Sequence, residues 1–165
     1  MEYNYYVYVK PECDIKINKM PKWFAEQRYE GNKQEGTIEF ETQDIYDEYW
    51  GPTAKLKIYW EPRDQDVLFF GREIQESIKT YSNLGIIITL KENSWHLSHE
   101  FTIWYGSRNK MLHKRFYTEK TIHSIFYCNY SKRLINLHAE IIEKYYKNFE
   151  PYIISCFKSV ICHPI

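Results

Sequence analysis

The sequence predicts an α+β fold: mostly antiparallel sheet, with a helix in the middle of the chain and C-terminal helices packed across it. Three observations predict it. Segments rich in aromatic and β-branched residues alternate with period two. One central segment, Val67, Phe70, Ile74, Ile78 and Tyr81, recurs at helical spacing. A terminal segment, Tyr152, Ile153, Cys156, Phe157 and Val160, does the same. At 165 residues the chain is expected to form a single domain, 1–165, large enough to bury a core without disulfide or metal staples.

In chain order, residues 2–10 read as a strand with Tyr3, Tyr5, Val7 and Val9 on one side, ended by Pro11. Pro21 suits the first position of a short helix running towards Gly31. Residues 37–42 form a strand with Ile38 and Phe40 opposite Glu39 and Glu41. Gly51-Pro52 marks a turn, and 54–60 is a strand with Leu56, Ile58 and Trp60 on its apolar side. Asp64 or Asp66 caps the central helix and Gly85 stops it; Gly71 inside it costs about 1 kcal/mol relative to Ala. Residues 86–91 make a short apolar strand.

The stretch 95–138 holds five of the six histidines. Residues 95–105 alternate as one strand, and Gly106-Ser107-Arg108-Asn109 has turn composition. A second reversal at Glu119-Lys120 makes 111–118 and 121–128 antiparallel neighbours. In this register Phe116 lies between His99 and His123 on one face, with the two imidazoles roughly 10 Å apart. A slip of one residue in either turn would reverse these faces. Beyond Asn129, two readings stay open. As a helix, 133–146 has the stripe Leu134, Leu137, Ile141 and Tyr145 and the pairs Glu140–Lys144 and Glu143–Lys147, which favour it. As a strand, it brings His138 directly opposite His123. The last helix follows the break at 148–151.

Formal charge is zero, but residues 1–66 carry nine Lys/Arg against fourteen Asp/Glu, and 67–165 carry thirteen against eight. This argues against bulk coating of nucleic acid and leaves room for a local basic face. Four cysteines without a CxxC pair give neither a zinc ribbon nor a secreted framework. A metal site assembled from His123, Cys128, His138, Cys156, Cys162 and His163 lacks the paired spacing of zinc ligands, since only Cys162-His163 are close-set. No metal and no cofactor are expected. With no signal-peptide pattern and no apolar run of about 20 residues, a cytoplasmic location is expected. Abundant Ile, Lys, Tyr and Asn suit an AT-rich genome, viral or archaeal ones included.

The candidate site follows from these placements. Arg108, Lys110, His113, Lys114, Arg115, Lys132 and Arg133, interleaved with Trp104, Phe116, Phe126 and Tyr130, combine cations that hold phosphates with rings that stack on bases. The sequence therefore points to a binding protein for a phosphate-bearing ligand, nucleic acid or nucleotide. Its ligand contacts would be Arg108, His113, Lys114, Arg115, Phe116, Lys132 and Arg133. One alternative is a metal-independent phosphodiesterase with His99 and His123 as acid and base. Another is a protein-interaction module acting through Glu39, Glu41, Asp44, Asp47 and Glu48, although such a run also serves as a charged sheet edge.

Overall fold

The structure, a computed structural model, describes residues 4–63, 70–96 and 99–163, and side chains within these except 70–74, 87–96 and 99–101. It is a sheet-rich α+β fold with two α-helices among the described residues. The chain runs β1 (Tyr5–Lys10), β2 (Ile15–Pro21), β3 (Phe24–Gly31), β4 (Gly36–Thr42), β5 (Tyr46–Asp47), β6 (Gly51–Pro52) and β7 (Ala54–Pro62). Then come α1 (Phe70–Asn83), β8 (Ile87–His96), β9 (His99–Leu112), β10 (Arg115–Cys128), β11 (Arg133–Ile142), α2 (Tyr146–Lys158) and β12 (Val160–Ile161).

Seven strands form one antiparallel sheet in the order β3-β4-β7-β11-β10-β9-β8. Two meanders meet where β11 pairs with β7, and the chain reaches the far edge strand β8 through α1. A smaller sheet, β1-β2-β12, packs against it without joining its ladder.

Alternation decides what each face of the large sheet buries. On one face Ile38, Phe40, Leu56, Ile58, Trp60, Ile122, Phe126, Ile135, Leu137 and Ile141 join Ile15, Ile17 and Met20 of β2 and Phe149, Ile153 and Phe157 of α2 in the main core. On the other face Trp104, Ile125 and Leu134 form a smaller cluster against Ile78 and Tyr81 of α1. The sheet is thus covered on both sides, but α1 covers its side only in part. A row of polar residues remains beside it.

Four expectations about elements change. Residues 24–31 are strand β3 and not a helix, because pairing with β4 across the Gly31–Gly36 hairpin outweighs the local Pro21 signal. Gly36 is required there, since a Cβ would lie 2.5 Å from the Trp60 ring and 2.5 Å from the Glu30 carbonyl. The reversals at 106–109 and 119–120 do not occur: both segments lie within the fourteen-residue strands β9 and β10. The turn falls at His113-Lys114, both left-handed, with φ of 50° and 61°. Such a pair is the backbone of a two-residue hairpin turn, and His is one of the residues that tolerates it best. Residues 133–142 are strand β11, not helix, so the alternative register holds and His138 lies opposite His123. Finally, α2 begins at Tyr146, and Pro151 lies inside it.

Candidate functional site

The polar side chains on the α1 side of the sheet come from positions that alternate onto one face. They are Arg108 and Lys110 on β9, Glu119, Thr121 and His123 on β10, His138 and Glu140 on β11, and Lys55 and Lys57 on β7. Register places them in cross-strand pairs: Arg108 with Glu119, Trp104 with His123, His123 with His138, Lys57 with His138, and Lys55 with Glu140.

The centre is a chain of hydrogen bonds. His123 Nε2 lies 2.9 Å from Thr121 Oγ1, and its Nδ1 lies 2.8 Å from His138 Nδ1. His138 Nε2 is 3.0 Å from Glu140 Oε1. One direction of donation satisfies every atom. The Thr121 hydroxyl donates to His123, His123 Nδ1–H donates to His138, and His138 Nε2–H donates to the carboxylate. Glu140 also accepts from Arg108 Nη2 at 3.2 Å. Arg108 Nε donates to Glu119 at 2.8 Å, and Lys110 reaches Glu119 at 3.1 Å.

Aromatic rings hold the imidazoles in place. Trp104 stacks on His123 (5.5 Å, 11°), and Tyr81 of α1 stacks on His138 (5.2 Å, 3°). The Tyr81 hydroxyl meets that of Tyr59 at 2.9 Å.

This environment sets the charges. Burial, then the neighbouring His138 and Arg108, pushes the His123 pKa down to about 2, so the ring stays neutral. Burial alone would raise Glu140. The hydrogen bond from His138, the electrostatic pull of His138 and the charges of Lys110 and Arg108 outweigh it and hold Glu140 at about 2, ionised.

Above the network lies a cleft of about 490 Å³ between α1 and the sheet, bordered by Lys57, Tyr59, Glu61, Arg108, Asn136, His138 and Glu140 from the sheet and Glu76, Ser77, Thr80 and Tyr81 from α1. A volume of this size suits a small molecule. A second hollow of about 250 Å³, lined by Glu39, Glu41, Lys55 and Lys57, shares His138 and Glu140 with it.

The residues singled out in the sequence do not gather in one place. His123 is fully buried, and it faces Trp104 and His138 rather than Phe116. Phe116 instead pairs with Met111 near the hairpin tip, 75% exposed. The His99 side chain lies outside the described residues; its backbone pairs with His96. The basic group divides as well. His113, Lys114 and Arg115 stand at the β9–β10 tip, with the Arg115 guanidinium 3.9 Å from the Tyr49 ring centre. Lys132 lies at the opposite end of β10, in the β10–β11 turn.

Arg133 must be withdrawn as a ligand contact. It is 1% exposed and donates to the backbone carbonyls of Cys13, Lys33, Asp14 and Cys162 at 2.5–3.2 Å, which leaves the guanidinium no surface to offer.

The acidic run is divided too. Glu39 and Glu41 face Lys57 and Lys55, while Asp47 is buried and accepts from Tyr49 N, Trp50 N and the Tyr145 hydroxyl. Sequence reasoning missed the roles of Arg108, Thr121 and Glu140 in one network. The signal was present in the strict alternation of Ile135, Leu137, Ala139 and Ile141 with Leu134, Asn136, His138 and Glu140, which is strand periodicity.

No protein-family model and no curated protein matches the chain. Solved structures do resemble it. A Pseudomonas aeruginosa protein of unknown function, PA94, superposes with a TM-score of 0.60 at 10% identity, covering 96% of this chain and 97% of that one. Cyanobacterial PsbP from Synechocystis gives 0.62 at 8% identity, covering 94% and 90%. LpqN, involved in cell envelope biogenesis of Mycobacterium tuberculosis, gives 0.59 at 14% identity, covering 92% and 84%. At these identities the likeness is one of fold.

Proposed function

We propose that the protein binds a small phosphate-bearing ligand of the nucleotide class in the cleft between α1 and the sheet, and that it does so without chemistry. One observation carries this reading: the His123–His138–Glu140 chain beneath the cleft already spends its polar atoms on internal partners. A general acid or base must be free to exchange a proton with the substrate near neutral pH. A fully paired network instead gives the cleft a rigid floor. Lys57, loosely placed 4.0 Å from Glu39, supplies positive charge for a phosphate, while Glu61 and Glu76 on the rim suit hydroxyl or amino donors of the same ligand.

A second reading has its own support. The hairpin tip presents Phe116 and Met111, 75% and 63% exposed, beside His113, Lys114 and Arg115, a combination suited to single-stranded nucleic acid. The four cysteines are buried and form no disulfide in the structure, and among the described residues no helix is long and apolar enough to cross a membrane.

Calorimetric titration with nucleoside monophosphates, the matching nucleosides, inorganic phosphate and short single-stranded RNA tests both. For the cleft, Lys57→Glu weakens nucleotide binding by ~10-fold or more, with a clear salt dependence, while Lys114→Glu with Arg115→Glu leaves it unchanged. The reverse pattern transfers the site to the hairpin. Absence of binding at low salt removes both readings, and a cleavage product in any mixture restores the phosphodiesterase.

A further inference from the structure

Away from the cleft, on the opposite face of the sheet, three metal-ligating side chains meet at the C-terminal end of β10. Cys128 ends that strand, and Cys162 and His163 follow β12. His163 Nδ1 lies 3.7 Å from Cys128 Sγ and 3.7 Å from Cys162 Sγ, and the three atoms all fall within 4.8 Å of one another. The segment 129–161 separates the two cysteines in sequence, so only the fold brings them together.

The two sulfur–nitrogen distances match a coordination polyhedron. With Zn–S near 2.3 Å and Zn–N near 2.05 Å, tetrahedral geometry places neighbouring sulfur and nitrogen ligands about 3.6 Å apart and two sulfurs about 3.8 Å apart. The adjacency of Cys162 and His163, which made them a poor pair on spacing alone, does not prevent convergence. Their ligand atoms point to the same spot. Both sulfurs are buried, and the Tyr130 ring packs on the His163 imidazole at 4.6 Å, which fixes its direction.

We propose that Cys128, Cys162 and His163 form a binding site for a thiophilic divalent cation, Zn²⁺, held by two thiolates and one imidazole with water in the fourth position. His163 borders a hollow of about 220 Å³ beside Asp14 and Lys16. Binding converts two thiols to thiolates and releases two protons, so the Zn(Cys)₂His unit is neutral. The Arg133 guanidinium donates to the Cys162 carbonyl at 2.5 Å and to three further carbonyls, and among the described residues it has no carboxylate partner, so it favours the thiolates. The Ser131 backbone N–H points at Cys128 Sγ at 3.5 Å, as a donor to a thiolate would. The ion would fasten the C-terminal segment after α2 to the β10–β11 turn.

Co²⁺ added to the reduced protein tests the site optically. The expected result is one equivalent bound, with sulfur-to-cobalt charge-transfer and tetrahedral d–d absorption that Zn²⁺ displaces. Cys162→Ser abolishes the charge transfer, and Cys156→Ser, in α2, leaves it intact. Since Cys162 is buried and its variant can misfold, His163→Gln gives an independent reading: it keeps thiolate absorption but weakens Co²⁺ binding by at least ~10-fold, with unchanged circular dichroism. No charge-transfer band in the parent protein overturns the proposal. So does a band that survives Cys162→Ser, or a Cys128–Cys162 disulfide in the protein as isolated.

Discussion

Replacing His123 with Gln should flatten the acid side of the stability profile. His123 is fully buried, and its pKa falls from 6.5 to about 2, chiefly through burial. In the unfolded chain the ring titrates near its ordinary value. Between pH 6.5 and 2, therefore, the unfolded state binds a proton that the native state does not, and stability rises with pH over this window. Read downward, each pH unit below 6.5 removes about 1.4 kcal/mol. From pH 6.5 to 4.5 that amounts to roughly 2–3 kcal/mol, a large share of the ~5–15 kcal/mol typical of a domain. Gln does not titrate, and its amide can replace part of the bonding to Thr121 and His138, so His123→Gln lowers stability at pH 7 by about 1–2 kcal/mol. Urea unfolding followed by circular dichroism at half-unit steps from pH 7.5 to 4.5 measures both profiles. The parent should converge on the variant as pH falls. Parallel profiles would refute the reasoning, because they would mean that the native protein takes up the same proton as the unfolded chain.

Three further outcomes follow from the same structure. Glu140→Gln removes a carboxylate held at about 2 instead of 4.5, so its contribution of roughly 3 kcal/mol is present above pH 4.5 and lost as pH falls towards 2; the gap between variant and parent in urea titrations should close over that window. His113→Asn with Lys114→Gly supplies residues that accept left-handed backbone at both turn positions and should stabilise by on the order of 1–2 kcal/mol, read as a higher Tm. Arg133→Met leaves two buried and two part-buried carbonyls without their donor and should cost ~3 kcal/mol or more in urea unfolding, and a loss below about 1 kcal/mol would show that water replaces the guanidinium.

How much of this was legible in the chain depended on the range of the interaction. Strands β4 and β7 were readable because Ile38 and Phe40, and Leu56, Ile58 and Trp60, alternate with charged residues over a whole element. Ile78 and Tyr81, read at helical spacing, lie in α1, while the expected cap at Asp64 or Asp66 lies outside the described residues. Strand β11 was misjudged because Glu140–Lys144 and Glu143–Lys147 imitate helix pairs across what is the end of a strand. The hairpin was misplaced for a similar reason: Gly106 and Asn109 have turn composition, yet both sit in β9 opposite Thr121 and Thr118.

By itself the sequence determined an α+β chain with its histidines concentrated in one stretch, and it offered the correct His123–His138 register as one of two alternatives. Tertiary structure alone decided which segments pair across the sheet. A strand's register is chosen by the summed burial of both faces, and β11 could be recognised as central only once β7 and β10 flanked it. The same long-range pairing set Glu140 beside Arg108, turned Arg133 from a surface cation into a buried clamp on four carbonyls, and carried Cys162 and His163 to Cys128. No local pattern encodes these encounters, because each depends on segments that meet only after the sheet has formed.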